Sequence, residues 1–153
     1  MCRRKTGTSA SATARKLFPL LRDLNTAIQR NAGKPGKTVR MPLVLFECQD
    51  VLVHFIFECM LGDAAGLVEK SRDMGATWTC VSIIDYLWLF QPGIAIGWGA
   101  NKLELVDVLG DPDTLLEKLR SQIRLLPDCF RPPVVEGEHL KHTVCRNPLN
   151  GAV

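Results

Sequence analysis

TWTCVSIIDYLWLFQPGIAIGWGANKLELVDVL, residues 77–109, is the stretch whose reading decides the fold. From Thr79 to Ala100 it carries a single charge, Asp85, over about the length of a membrane span. Gln91-Pro92-Gly93 falls in its middle, and a Pro-Gly pair inside a run rich in Val, Ile and aromatic residues predicts a turn between buried strands, not a span. The predicted strands are 77–84, 86–90, 94–98 and 102–109, joined as an antiparallel meander by turns at Gln91–Gly93 and Gly99–Asn101. In the last of them Leu103, Leu105 and Leu109 share a face with Asp107, while Lys102 and Glu104 share the other with Val106 and Val108.

On the N-terminal side, Asp63 is placed to cap a helix running to about Met74 and closed by Gly75. Residues 47–61 satisfy two periods at once. Glu47, Asp50, His54 and Glu58 recur as one helical stripe, whereas Val51, Val53, Phe55 and Phe57 alternate as a strand does. The strand reading is adopted, paired with a short strand at 41–46 through a turn at 48–50. Earlier still, Leu17, Leu20, Leu21, Leu24, Ala27 and Ile28 have helical spacing, which predicts a helix from near Pro19 to Asn31–Gly33.

On the C-terminal side, Asp111-Pro112-Asp113-Thr114 reads as the start of a helix, with Asp111 as the cap and Pro112 in the first turn. Leu115, Leu116, Leu119, Ile123 and Leu126 supply one apolar face, and Arg120 and Arg124 fall near the C-terminal end, where the helix dipole favours cations. After Pro127 the chain has Pro132, Pro133 and Pro148 and no sustained period, so a loop or loosely docked extension is expected.

The expected fold class is therefore α+β, an antiparallel sheet of four to five strands with helices packed on it in the order α-β-β-α-β-β-β-α. That order resembles profilin-like and roadblock-type interaction modules, an analogy of element order with no motif behind it. The expected organisation is a basic arm or leader at 1–16, one α+β domain at 17–126 and a Pro-containing tail at 127–153. A chain of 153 residues suffices for one core, burying roughly 70% of its unfolded surface.

Charge is distributed unevenly. Residues 1–40 hold ten Lys or Arg against one acid, Asp23, whereas the rest holds nine bases against fifteen acids. A net +9 ahead of a net −6 marks an arm attracted to a polyanion, or a targeting leader. Arg3, Arg4, Lys5, Arg15, Lys16, Arg22, Lys34, Lys37 and Arg40 are the candidate nucleic-acid contacts, acting on phosphates without reading sequence. The Arg-, Ser-, Thr- and Ala-rich composition before Asp23 equally suits a mitochondrial transit peptide. Six cysteines and no apolar signal-peptide core favour reduced thiols and an intracellular setting, cytoplasmic or nuclear, with the mitochondrial matrix as the alternative.

Candidate chemistry is sparse. Cys129, His139, His142 and Cys145 are thiol and imidazole ligands of the kind zinc takes, at an unusual spacing, with Glu136 and Glu138 nearby; no cofactor is expected beyond that zinc candidate. Glu47, Asp50, His54 and Glu58 form a half-shell for a metal only if 47–61 is helical, and otherwise the wet stripe of an amphipathic element. Gly36-Lys37-Thr38 ends like a phosphate-binding loop but has Asn31 where the motif needs Gly, and 103–109 with Asp107 mimics its partner strand. No Gly-x-Ser-x-Gly elbow occurs, and Cys80 has no activating neighbour in the sequence. Asp85, a carboxylate in the most apolar run, requires a partner or a raised pKa. Trp78, Trp88 and Trp98 read as core, since the base-stacking alternative needs interleaved cations and 78–98 has no Lys or Arg.

The expected function is a non-catalytic interaction or assembly module, its basic arm contacting nucleic acid or another acidic partner. A protein partner or homodimer would form through the apolar sheet or a helix, without a membrane span. The rivals are a metal-dependent hydrolase and an imported mitochondrial component.

Overall fold

The computed structural model describes residues 26–30 and 38–42 as backbone, and 44–153 in full. The described chain is mostly helical, which overturns the expected α+β sheet architecture. Its order is β1 (Thr26–Arg30), β2 (Thr38–Pro42), α1 (Glu47–Leu61), α2 (Ala76–Phe90), α3 (Leu103–Val106), α4 (Leu115–Leu125), β3 (Leu140–Lys141) and β4 (Val144–Cys145). The strands form two separate antiparallel pairs, β1 with β2 and β3 with β4, instead of one sheet of four to five strands.

The first pair corrects the N-terminal reading where it can be followed. Thr26–Arg30 is a strand in register with Thr38–Pro42, Thr26 opposite Pro42 and Arg30 opposite Thr38. The helix expected to run through Ala27 and Ile28 therefore does not include them; hydrogen bonding to a partner strand satisfies the same backbone groups. The expected flexible arm at 1–13, the helix before residue 26 and the loop at 34–37 lie outside the described residues.

Helix α2 is the central element, and it is where the strand reading fails most completely. Thr79, Val81, Ser82, Ile83, Asp85, Tyr86, Leu87 and Trp88 are all buried, so the helix is enclosed on every side. A helix buried all round has no polar stripe to announce its period, and its β-branched residues imitate a buried strand. Its hydroxyls are satisfied along the helix: Thr79 Oγ1 donates to Gly75 O at 3.2 Å and Ser82 Oγ to Trp78 O at 2.9 Å. The helix ends at the Gln91-Pro92-Gly93 turn, Gly93 having φ +67°. Among the described residues no helix is long and apolar enough to cross a membrane.

Helix α1 is likewise a correction to a strand. Gln49, Val53 and Phe57 recur every fourth residue and are buried, Val53 and Phe57 packing with Ile83, Tyr86 and Leu87 of α2. Burial against α2 outweighs the modest β preference of Val and Phe. At its start Phe46 N–H donates to Gln49 Oε1 at 3.1 Å, and Gln49 Nε2 donates onward to Met74 O at 2.9 Å. That second bond secures Gly75, the N-cap of α2, which has φ +69° and whose Cβ position lies 2.5 Å from Gln49 Nε2. Gly75→Ala combines left-handed strain with displacement of a flexible amide, and is expected to cost about 1–2 kcal/mol in urea unfolding. A loss below 0.5 kcal/mol would mean that the turn relaxes freely.

Residues 62–75 form no helix, contrary to the cap reading at Asp63. Residues 61–74 are exposed throughout, so a helix there would have no apolar face to bury and only its costly nucleation to bear. Residues 94–98 are extended, with Ile94, Ile96 and Trp98 turned inward in alternation, but their partner is the C-terminus and not a meander. Ile96 N–H donates to Val153 O at 2.8 Å and Val153 N–H to Ile94 O at 2.9 Å. The 102–109 strand is replaced by the single turn of α3, followed by Asp107.

Helix α4 follows its sequence pattern, with a shifted start. Asp111 makes a turn in which its Oδ1 accepts Asp113 N–H at 3.0 Å, and Thr114 is the N-cap. Leu119 and Ile123 pack on Val81 and Trp88 of α2, joined by Leu140, Cys145 and Ala152 from the C-terminal segment. That segment is docked, against the expectation of a loop or loosely docked extension. Asn147 Nδ2 donates to Trp88 O at 2.9 Å, and Asn150 Nδ2 to Trp88 O and Leu89 O at 3.1 and 3.0 Å, occupying carbonyls left over at the end of α2.

Candidate functional site

The strongest polar feature is an ion network connecting α3, α4 and the β3–β4 turn. Arg120 on α4, only 1% exposed, places Nη1 2.6 Å from Asp107 Oδ1 and Nη2 2.8 Å from Asp107 Oδ2, a two-pronged bridge. Nη2 also donates to Lys141 O at 2.6 Å, and Nη1 to Glu117 Oε2 at 3.2 Å. Arg124 joins Glu117 at 2.6 Å to Glu136 at 2.8 Å nearer the surface. The hydrogen bonds from Arg120 hold the Asp107 carboxyl below the usual carboxylate range against the opposing effect of burial, and Asp107 in turn raises Arg120.

Asp107 also binds the turn. Its Oδ2 accepts Thr143 N–H, and its main-chain O lies 3.2 Å from His142 Nε2. Thr143 has φ +63°, an uncommon conformation for a β-branched residue. The network therefore holds the β3–β4 turn in a set position against α4.

Beside that turn is a cavity of about 450 Å³. Trp88 and Ile84 of α2, Trp98 of the extended segment, Leu103 of α3, and Leu116 and Leu119 of α4 form much of its wall, with Thr143, Val144 and Cys145 along one edge. Among the described residues, no side-chain carboxylate, guanidinium, ammonium or imidazole lines it. Among the described lining side chains the ionisable group is the Cys145 thiol, which burial pushes up to about 11 although Arg120 acts in the opposite direction. At neutral pH that sulfur is a thiol and a poor nucleophile. Trp88 Nε1 donates to Cys145 O at 3.0 Å, so this indole N–H is already engaged.

The residues singled out in the sequence are distributed differently. Cys129 and His142 are exposed, His139 is half-buried and Cys145 is buried. His139 Nδ1 accepts Val135 N–H at 3.0 Å while His142 approaches Asp107. Among the described residues no group of three or more His, Cys, Asp or Glu is arranged to hold a metal ion. Glu47, Asp50, His54 and Glu58 do share the outer side of α1, with Asp50 Oδ1 3.9 Å from His54 Nε2. Cys48, Cys59, Cys80, Cys129 and Cys145 are free thiols. Burial raises Cys80, away from reactivity.

Of the basic set, Arg40 lies on β2 opposite Ile28. Arg3, Arg4, Lys5, Arg15, Lys16, Arg22, Lys34 and Lys37 lie outside the described residues. Asp107 and Arg120 were missed as a pair. The available signal was Arg120 itself, which falls inside the apolar stripe of α4, four residues after Leu116 and three before Ile123. Comparison with protein-family models, with curated proteins and with solved structures finds no match to this chain.

Proposed function

We propose that this protein is a non-catalytic interaction or assembly module whose basic N-terminal arm contacts nucleic acid or another acidic partner. The observation that carries the binding half of this reading is the chemistry around the cavity. Arg120, Asp107 and Glu117 are committed to one another, and Cys145 is held as the thiol, so none of these four groups is poised for proton transfer or nucleophilic attack. The partner class rests on charge: ten bases against one acid in residues 1–40, ahead of a net acidic remainder.

A protein contact or homodimer contact belongs to a helix in this reading, since the large sheet is absent among the described residues. Phe46, Val51 and Leu61 leave apolar surface exposed at or next to α1, and Leu67 follows. The setting in this reading is intracellular, cytoplasmic or nuclear, with the mitochondrial matrix as the alternative.

The test is fluorescence anisotropy with a labelled duplex across a salt series. It compares the full chain with a form in which Arg3, Arg4, Lys5, Arg15, Lys16 and Arg22 are changed to Gln. If all six contact phosphates, log affinity should fall against log salt with a slope of about −5 from these contacts, and the Gln form should lose that dependence. Equal binding by the two forms, or no binding by the folded full chain, would remove the arm from any nucleic-acid interface.

A further inference from the structure

We propose that the cavity between α2, α3, α4 and the β3–β4 turn binds an uncharged, mainly apolar molecule bearing one hydroxyl, such as an alkylphenol or long-chain alcohol, with that hydroxyl donating to Thr143 Oγ1. Among the described residues no cation lines the cavity. Its volume, about 450 Å³, is in the range of small-molecule sites, and its wall has the usual composition of such sites, large apolar groups with a few placed polar atoms. Trp88 and Trp98 offer two indoles to an aromatic or aliphatic body.

The charge of the ligand follows from what surrounds the wall. An anionic head would need a free cation, but the Arg120 guanidinium is shared among Asp107, Glu117 and Lys141 O. A cationic head would need a free side-chain carboxylate, and the nearby Asp107 is occupied on both oxygens by Arg120 and by Thr143 N–H. Either charge would be desolvated on entry with no compensating side-chain charge among the described lining residues. A neutral head avoids that cost.

Thr143 supplies the polar anchor. Its hydroxyl donates to His142 O at 2.7 Å, so its proton is committed and its oxygen lone pairs remain available to accept. The matching ligand group is therefore a donor. Thr143 also occupies a left-handed conformation that Gly or Asn adopts at lower cost, and the Asp107–Arg120 bridge keeps it there. That arrangement places a branched, hydroxyl-bearing side chain at the rim of an otherwise apolar space.

The experiment is calorimetric titration of the full chain with para-hexylphenol, hexylbenzene and para-hexylbenzoate, with tryptophan emission recorded in parallel. The phenol is expected to bind one molecule per chain and to shift the emission. Hexylbenzene should bind about tenfold more weakly, the factor for one neutral hydrogen bond of about 1.4 kcal/mol, and the benzoate no better than hexylbenzene. Thr143→Val should reduce the phenol to the affinity of hexylbenzene and leave hexylbenzene unchanged. Absence of saturable binding, tightest binding by the benzoate, or phenol affinity unaffected by Thr143→Val would each overturn the proposal.

Discussion

Arg120→Ala is expected to lower the unfolding free energy by about 3–5 kcal/mol, a large share of the roughly 5–15 kcal/mol that holds a domain together. The reason is less the loss of attraction than what remains afterwards. Asp107 would stay buried with Thr143 N–H as its principal donor, and Glu117 would keep only Arg124. Arg120→Lys should recover little, because one ammonium cannot span both Asp107 oxygens and reach Lys141 O in the same plane. Replacing both partners together, Arg120→Met with Asp107→Leu, should recover most of the loss, since neither charge is then stranded.

Urea unfolding of the single and double variants at neutral pH forms the cycle. A loss below about 1 kcal/mol for Arg120→Ala would place the bridge in the class of solvent-screened pairs and contradict its burial. Acid offers a further check. Asp107 has a folded pKa lowered below its ordinary 3.8. Its stabilisation is therefore present above that unfolded value and lost as pH falls through the folded one. Acid lability in that window should be reduced in the double variant.

Asp85→Asn is expected to act in the opposite direction, stabilising the protein by up to about 4 kcal/mol at pH 8 and changing it little at pH 4. Asp85 on α2 is 1% exposed, and its Oδ1 has no hydrogen-bond partner. Burial pushes its carboxyl from 3.8 up to about 7. Below about pH 4 both folded and unfolded chains carry the proton, and this group is neutral in the balance. Between about 4 and 7 the unfolded chain ionises first, so stability declines as pH rises. Above about 7 the folded chain holds a buried carboxylate and the full penalty applies. The difference between wild type and Asp85→Asn, followed by thermal or urea unfolding from pH 4 to 8, isolates this group from Asp107. A constant difference across that range would show that Asp85 does not titrate there in the folded protein.

How far each feature was legible depended on whether its cause was local. Helix α4 was legible because Leu119 and Ile123 repeat on one face after a turn-forming Asp-Pro-Asp, and the break at Pro92-Gly93 because Pro fixes its own φ and Gly takes the positive φ that a turn needs. Asp85 was legible as a problem, since a carboxylate within an apolar run must be partnered or protonated. Helix α2 was not legible: Val81, Ile83, Tyr86 and Trp88 are buried on all sides, and both a core strand and a core helix can have that composition. In α1 two periods coexisted, and only the packing of Val53 and Phe57 against α2 selected one of them.

The cavity depended on distant segments. Its wall joins Ile84 and Trp88 to Leu119 and to Thr143–Cys145, and no local pattern indicates that the final residues return to pair with 94–96. The Asp107–Arg120 bridge spans thirteen residues, and its turn contact at Thr143 spans thirty-six.

From its order of residues alone, this protein has an uneven charge distribution, a turn at 91–93, an amphipathic helix following Asp111-Pro112 and a carboxylate in its most apolar run. Those properties follow from side-chain chemistry and backbone restriction within a few residues. Tertiary structure decided that the apolar run is a helix, that the C-terminal segment belongs to the core, and that Arg120, Asp107 and Thr143 meet. Each of those outcomes depends on burying surface against segments remote in the chain, where packing energy exceeds the small local preferences that separate helix from strand.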